Sequence, residues 1–271
     1  MEQKLYVFGT GNAAVTKCYN TCFALSDGEE FFLVDAGGGN GILTQFEKMN
    51  VSVNQIHHMF VTHKHTDHIL GAIWVVRMVA TQMHKGKYKG DFHIYGHREV
   101  VSMLRSFCEM MLAKKHAAFL DERIKFEEVT EGQTAEILSY SVTFFDIFST
   151  KAKQFGFTTT LRDGSVLTFT GDEPYNEGCE KYVIGSQWLL HEAFCLDADK
   201  EVFEPYEKHH GTAKDAGQTA QELMAEKLVL WHTEDKTLET RKQMYSDEAK
   251  TVFDGDVFVP DDLEVISLSS L

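Results

Sequence analysis

A short histidine-rich segment is the part of this sequence that most directly indicates chemistry. The run from Thr62 to His68 reads T-H-K-H-T-D-H and holds three imidazoles and one carboxylate. His63 and His65 are two positions apart, so in an extended segment they project from the same side. Asp67 and His68 follow at the start of a helical pattern. Imidazole and carboxylate are ligands of divalent cations, so the segment predicts a site for two neighbouring metal ions. The alternative is a histidine-rich surface loop without function.

The elements around this segment are those that must position it. An apolar strand over Met59–Thr62 precedes it, and apolar residues at helical spacing run from Ile69 to Met83 after it. The apolar patterns elsewhere predict further strands and helices. The strands are Leu5–Phe8, Thr21–Ser26, Phe31–Val34, Phe92–Tyr95, Ser141–Phe148, Phe155–Leu161, Val166–Thr170, Trp188–His191 and Leu228–Trp231, and the helices are Gly41–Met49, Arg98–Leu112, Thr212–Leu223 and Leu238–Tyr245. The charged stretch Lys114–Glu128 is expected to be a mobile insertion.

Composition limits the classes of protein that this chain can belong to. Its 271 residues carry 26 Lys and Arg against 41 Asp and Glu, a formal net charge of −15. That balance argues against a general nucleic-acid binder, which needs clustered cations. No apolar run is long enough to cross a bilayer, and the N-terminus lacks the pattern of a secretory signal, so we expect a cytoplasmic protein without membrane contact. The five scattered cysteines argue against a disulfide framework.

Several motifs together resemble the metallo-β-lactamase superfamily, whose metal-binding motif is H-x-H-x-D-H. The resemblance runs from Phe8 to about Asp235 and is closest to the ribonuclease Z-like branch. The matching segments are Phe8–Ala13, Asp35, the His63–His68 loop, Phe169–Asp172, His191–Ala193, His210–Ala213 and Leu230–His232. The resemblance implies an α/β (α+β) fold, a four-layer αββα sandwich of two mixed sheets flanked by helices. The absence of a linker favours a single domain over 1–271, with a helical, charged insertion around 83–128.

The resemblance also implies a set of metal ligands. His63 and His65 would bind the first ion, Asp67, His68 and His232 would bind the second, and Asp172 would bridge both. Asp35 would support the loop from behind rather than bind metal. Nitrogen and oxygen ligands suit Zn²⁺, with Mn²⁺ or Fe as alternatives.

Catalysis by such a centre would use a metal-bound hydroxide, since the cation lowers the pKa of water from about 15.7 toward 7. Asp67 could help to orient this nucleophile. His210, paired with Glu192, would protonate the leaving oxygen, and the carboxylate would raise the pKa of the imidazole. His209 is adjacent, but the position before Gly-Thr-Ala favours His210.

One position departs from the expected pattern. Relatives supply a further histidine to the first ion from the end of the strand before Gly156-Phe157, and this chain has no histidine between His116 and His191. Phe148 is expected to stand there, with Ser149 or Thr150 as alternatives. A phenyl ring cannot bind zinc, so we expect one or two ions, with the first site weakened.

The substrate is expected to be a small phosphodiester. The segment from Phe148 to Asp172 has no room for the Gly/Pro-rich arm with which ribonuclease Z proteins bind transfer RNA, so transfer RNA is not expected as a substrate. A thioester or lactone hydrolase is one alternative. A catalytically degenerate member, with Phe148 in the metal site, acting as a binding protein is another. The aromatic residues Phe119 and Phe126 could belong to a lid or to a homodimer contact.

Overall fold

Two seven-stranded mixed sheets form the centre of the protein in the computed structural model, which describes residues 2–268. The first sheet has the order β14-β1-β2-β3-β4-β5-β6. Its strands are β1 Lys4–Gly9, β2 Cys22–Ser26, β3 Phe31–Val34, β4 Ile56–Phe60, β5 Phe92–Gly96, β6 Ile124–Glu128 and β14 Val265–Ser267. Strands β1, β2 and β3 pair antiparallel, and β3 through β6 pair parallel.

The second sheet repeats this plan, with the order β13-β12-β11-β10-β9-β8-β7. Its strands are β7 Thr134–Ile137, β8 Tyr140–Asp146, β9 Phe155–Thr160, β10 Val166–Phe169, β11 Trp188–Glu192, β12 Lys227–Trp231 and β13 Asp256–Phe258. Strands β7 to β10 pair antiparallel and β10 to β13 pair parallel.

Eight α-helices accompany the sheets in the described part of the chain. They are α1 Gly41–Lys48, α2 Thr66–His84, α3 Arg98–Met111, α4 Lys114–Ala117, α5 Glu180–Val183, α6 Lys200–Phe203, α7 Ala213–Glu222 and α8 Leu238–Ala249. None of the helices within residues 2–268 is long and apolar enough to cross a membrane.

Three buried apolar layers hold these elements together. The sheets face each other across an aromatic core, in which Phe23 stacks on Trp231 at 4.7 Å between ring centroids and Phe60 meets Phe144 at 4.9 Å. A second layer joins the first sheet to helices α1, α2 and α3, and a third joins the second sheet to α7 and α8. Each fully buried aromatic ring contributes about 1.5–3 kcal/mol relative to an exposed one. The predicted αββα sandwich is therefore confirmed.

The span 83–128, expected as a helical and charged insertion, contains two strands of the first sheet. The expectation that Lys114–Glu128 is a mobile insertion is wrong, because β6 pairs in parallel with β5 and the Ile124 side chain is fully buried. Charged side chains on the exposed parts of this edge strand hide its apolar periodicity. Three further strands were absent from the sequence prediction. The edge strand β7 is mostly polar or exposed, and the C-terminal strands β13 and β14 are only three residues long.

The parallel halves of the two sheets decide where the chemistry lies. Asp35 follows β3, the His63–His68 loop follows β4, Asp172 follows β10, Glu192 ends β11 and His232 follows β12. All five strands belong to parallel pairs, and their carboxyl ends meet at one rim of the sandwich. Carboxyl ends of parallel strands are where open α/β sheets bind ligands.

Candidate active site

The His63–His68 loop connects a buried strand directly to a helix. His65 is the extended residue that precedes α2, and it accepts hydrogen bonds through its carbonyl from the backbone N–H groups of His68 and Ile69. Asp67 therefore lies in the first turn of α2, where the positive end of the helix dipole favours a carboxylate. His63, Asp67 and His68 are buried, and His65 is half-buried.

Asp35 holds this loop from behind, as expected. Its carboxylate accepts hydrogen bonds from the Thr62 backbone N–H at 2.9 Å, from the Thr62 hydroxyl at 2.8 Å and from Nδ1 of His68 at 2.7 Å. Nδ1 of His68 therefore carries a proton, and Nε2 is the nitrogen that is directed toward the metal position. A carboxylate behind an imidazole is the usual way to fix the tautomer of a metal-ligating histidine.

The carboxylate of Asp172 lies at the centre of the histidines. Its Oδ2 is 3.3 Å from Nε2 of His68, 3.5 Å from Nε2 of His232 and 3.6 Å from Nε2 of His63. Two residues of this cluster lie at left-handed turns of the backbone. Gly171, which precedes Asp172, has φ 80°, and His232 itself has φ 59°. A non-glycine residue in the left-handed region carries conformational strain, which is common at functional sites.

The ligand atoms form two groups that share Asp172, each with all atoms within 4.8 Å of one another. The first metal position consists of His63, His65 and Asp172, and the second metal position consists of Asp67, His68, Asp172 and His232. The structure thus brings together all six side chains that the sequence analysis selected as ligands, in the same two groups.

The chemistry of these residues fits a divalent cation. Nε2 of His68 is buried without a hydrogen-bond partner and faces two carboxylates, Asp67 at 3.2 Å and Asp172 at 3.3 Å. A buried lone pair of this kind costs free energy unless something binds it. A cation between the nitrogen and the carboxylates would satisfy all three groups.

The electrostatics favour the metal-binding form of His63, His232 and Asp172, whereas the raised pKa of His68 favours a second proton that a cation would have to replace. Burial holds the pKa of His63 well below its usual range and lowers that of His232 to about 3, so both rings are neutral. Burial alone would raise the pKa of Asp172, but the neighbouring imidazoles outweigh it and lower that pKa well below its usual range. For His68, burial lowers the pKa, yet Asp67 and Asp35 outweigh burial and raise it.

Phe148 does not stand in the metal site, and this prediction is wrong. Its side chain is 47% exposed, and its ring lies against Gly178. The alternatives are also directed elsewhere: the Ser149 hydroxyl donates to Glu173 at 2.6 Å, and the Thr150 backbone N–H donates to the same carboxylate at 2.9 Å. The chain after β8 turns away from the metal positions here, with Phe148 itself at φ 57°.

Gln154 is the side chain of this loop that enters the centre, and sequence reasoning missed it. Its side chain is 1% exposed, and its Nε2 is 2.7 Å from Nδ1 of His63. Its Oε1 accepts a hydrogen bond from the Asp172 backbone N–H at 2.9 Å. Its Nε2 also donates to Oδ1 of Asp172. Its place immediately before Phe155-Gly156-Phe157 was the only available signal, and an uncharged amide drew no attention there.

His210 and Glu192 face each other, but not as a hydrogen-bonded pair. Nδ1 of His210 is 3.6 Å from Oε2 of Glu192, and both atoms are buried without a hydrogen-bond partner. Oε1 of Glu192 accepts a hydrogen bond from the Gly211 backbone N–H at 2.6 Å. The His210 ring stacks on Phe194, with centroids 4.8 Å apart. His209 is directed away and contacts the Thr150 hydroxyl at 2.8 Å, so His210 is the histidine that faces the carboxylate.

The expected effect of Glu192 on His210 is not found. Burial lowers the pKa of His210 to about 4, and the Lys151 ammonium acts in the same direction. Burial raises the pKa of Glu192 to about 8, so near neutral pH this carboxyl group is largely protonated. A protonated carboxyl group carries no charge that could raise the pKa of the ring.

Lys151 is the second residue that sequence reasoning missed. Its Nζ donates to Nε2 of His210 at 3.2 Å and to the Lys208 carbonyl at 3.1 Å. A lysine in a loop has no pattern that could have indicated this contact.

These residues open onto one cavity of about 870 Å³. Its wall includes candidate ligands from both metal positions, together with His210 and the lysines Lys64, Lys151 and Lys208. A cluster of lysines beside a metal centre is unusual in a chain with a net charge of −15 and makes this cavity suited to an anion.

Comparisons with known proteins show which families and folds this chain is similar to. The family model described as anti-Pycsar protein Apyc1 matches residues 3–253. A curated ribonuclease Z of Bacillus licheniformis is 24% identical over 301 residues, covering 92% of this chain and 94% of that protein. These matches, with the two structures that follow, confirm the resemblance to the ribonuclease Z-like branch of the metallo-β-lactamase superfamily.

Two solved structures share the fold over almost the whole chain. The metallo-β-lactamase fold protein YhfI from Bacillus subtilis superposes with a TM-score of 0.78 at 20% identity, covering 98% of this chain and 99% of that one. The short form of human tRNase Z superposes with a TM-score of 0.75 at 21% identity, covering 98% of this chain and 100% of that one.

Proposed function

Because the chain belongs to the anti-Pycsar protein Apyc1 family, we propose that it is a metal-dependent hydrolase of a small phosphodiester. One observation carries this proposal: candidate ligands from both metal positions line the same cavity as His210 and Lys151. These ligands are His65, Asp67, Asp172 and His232. Hydrolysis of a phosphodiester needs an activated water, a binding site for the phosphate charge and a proton for the leaving oxygen. Each requirement has a candidate residue or group in this cavity.

The six side chains are proposed to hold one or two divalent cations. His63, His65 and Asp172 would form the first metal position, and Asp67, His68, Asp172 and His232 the second. Zn²⁺ is the proposed ion because it favours imidazole and carboxylate ligands, and Mn²⁺ or Fe are alternatives. A bound cation would supply the activation of water, and Asp67 at the wall of the cavity is placed to orient that water.

His210 is proposed to protonate the leaving oxygen. Its ring lies at the cavity wall, held by stacking on Phe194, with Nε2 toward Lys151 and Nδ1 toward Glu192. Burial and the Lys151 ammonium lower the pKa of this ring to about 4, so the negative charge of a bound phosphodiester would have to raise that pKa before the ring donates a proton. Glu192 is proposed to position the ring rather than to charge it.

A small substrate fits better than transfer RNA. The structure between Phe148 and Asp172 consists of a loop and the strands β9 and β10, with no projecting arm. The net charge of −15 also opposes binding of a large polyanion outside the lysine-lined cavity.

The direct test is hydrolysis of bis(p-nitrophenyl) phosphate by the protein with added Zn²⁺, Mn²⁺ or Fe²⁺. We expect metal-dependent turnover that falls about 100-fold or more in His210→Ala, the range of general acid–base catalysis. His209→Ala is the matched control, because this neighbouring ring is directed at Thr150, and we expect a much smaller effect. Absence of turnover with every metal would refute the proposal. Faster turnover of a thioester or lactone would instead favour the alternative substrates.

A further inference from the structure

We propose that Gln154 weakens the first metal position, so that the chain preferentially holds an ion at the second. This inference rests on the metal centre of the proposed function. It concerns a residue with no role in the sequence analysis, and it follows from the contacts that this amide makes with Asp172 and His63.

The first step concerns the two oxygens of Asp172. Oδ2 faces the Nε2 atoms of histidines from both metal positions, His63 in the first and His68 and His232 in the second. Oδ1 is the oxygen that could serve a second cation, but it accepts a hydrogen bond from the Gln154 amide. Two cations would therefore have to share Oδ2, and the first position has no other carboxylate to bind its ion.

The orientation of the amide is set by the backbone. The Asp172 N–H donates to Oε1 of Gln154 at 2.9 Å, which requires an oxygen at that end of the amide. Nε2 must then face Oδ1 of Asp172 and Nδ1 of His63, and an amide nitrogen offers only donors. Turning the amide over would place two oxygens against each other and an N–H against an N–H.

The second step concerns the tautomer of His63. To bind a cation through Nε2, this ring must carry its proton on Nδ1. Nδ1 has two neighbours, the Thr62 hydroxyl at 2.9 Å and Nε2 of Gln154 at 2.7 Å. The hydroxyl already donates to Asp35 at 2.8 Å, so toward His63 it accepts and favours the tautomer that binds metal. Gln154 donates and favours the opposite tautomer.

The second metal position has no such competitor. Nδ1 of His68 donates to Asp35 at 2.7 Å, so Nε2 is the nitrogen directed toward Asp172 and a cation there. Asp67 adds a second carboxylate there, whereas the first position has Asp172 alone. The two positions therefore differ in the number of carboxylates and in the hydrogen bonds that orient their histidines, at Nδ1 of His63 and at Nδ1 of His68.

The experiment measures metal binding to metal-free protein by titration calorimetry with Zn²⁺ and by mass spectrometry. For the wild type we expect one tight equivalent and a second that binds at least about tenfold more weakly. Gln154→Glu keeps the shape but replaces the donor by an acceptor, and it should strengthen the weak equivalent about tenfold or more. Gln154→Met removes the donor without adding charge and should strengthen it less. Phe148→His is the control and should change neither equivalent, because that side chain is exposed.

A second measurement uses the wild type alone, so that the inference can be tested even if the variants do not fold. Imidazole ¹⁵N NMR of the metal-free protein should show His63 protonated at Nε2 and His68 carrying a proton at Nδ1. Any of three results would overturn the inference. They are two equally tight metal equivalents in the wild type, a His63 ring protonated only at Nδ1, and a weak equivalent whose affinity is unchanged or lower in both Gln154 variants. Metal binding as expected without phosphodiester hydrolysis would refute the proposed function and leave the role of Gln154 supported.

Discussion

The Asp35 carboxylate accepts a hydrogen bond at 2.7 Å from Nδ1 of His68, across the gap between the ends of β3 and β4. The same carboxylate also accepts from the backbone and the hydroxyl of Thr62. It therefore organises the entry to the metal loop without facing the cavity itself. All three partners of Asp35 are hydrogen-bond donors, so both side-chain oxygens at position 35 must be acceptors.

Asp35→Asn should weaken metal binding while preserving the fold. The amide would place an N–H group against one of three donors, which disturbs either the Thr62 turn or the tautomer of His68. We expect a loss of about 10–100-fold in affinity for the tighter metal equivalent, measured by competition with a chelator. Glu29→Gln, at an exposed position, is the control and should bind metal as the wild type does. Unchanged affinity in Asp35→Asn would show that this contact does not prepare His68.

Lys151→Met should weaken binding of anionic substrates more than it slows the chemical step. The ammonium lies in the cavity and donates to His210, so it is placed to contact a phosphate oxygen. We expect KM for a phosphodiester to rise about tenfold, with a recovery in Lys151→Arg, measured by steady-state kinetics. Lys153→Met is the matched control, since that lysine pairs with Asp146 at 3.3 Å outside this cavity. Equal effects of the two Met variants would argue against a phosphate contact.

Metal removal should lower the thermal stability of the protein. A cation would bind the buried Nε2 of His68 together with the carboxylates of Asp67 and Asp172 and would link the segments that carry them. A ligand that binds only the folded state at about 100 times its Kd adds about 2.7 kcal/mol, so we expect Tm to fall by roughly 5–10 °C after chelation. His232→Asn should reduce this difference, measured by differential scanning calorimetry. A Tm that does not respond to Zn²⁺ would contradict the metal assignment.

Stability should fall on acidification because of a histidine far from the metal centre. Burial, with repulsion from His93 and His57, lowers the pKa of His58 to about 4, against 6.5 for the unfolded chain. The unfolded chain then binds a proton that the folded state does not. The contribution of this ring to stability is therefore fully present above about pH 6.5 and is lost progressively as the pH falls toward 4.

His58→Gln should remove this part of the acid sensitivity. Between pH 6.5 and 4 we expect its free energy of unfolding to fall by roughly 2 kcal/mol less than that of the wild type, after allowance for partial exposure of the ring. The measurement is denaturant unfolding as a function of pH. His84→Gln, at an exposed position, should follow the wild-type profile. Identical profiles for all three proteins would contradict the lowered pKa of His58.

Much of the fold was predictable because its central strands are short, apolar and bounded by turns. The strands around Phe31–Val34 and Val166–Phe169 were found within a residue or two. Four strands were missed. The edge strands β6 and β7 are polar on their exposed sides, and β13 and β14 have three residues each, too few to show a period. Strand pairing between distant segments leaves no periodic signal at all.

Local spacing was sufficient to identify the His63–His68 loop as a candidate metal-binding loop. The motif H-x-H-x-D-H places all of its candidate ligands in one short segment between a strand and a helix. It could not show that Gln154 rather than Phe148 reaches the centre, or that Lys151 lies beside His210. Each of these depends on the path of a loop with left-handed residues, such as Phe148 and His209, and such turns reverse the direction of a side chain without changing the sequence pattern. The candidate metal ligands could therefore be predicted from sequence motifs. The protonation, charge and accessibility of the candidate metal centre depend on contacts between segments that are far apart in sequence, and only the tertiary structure shows these contacts.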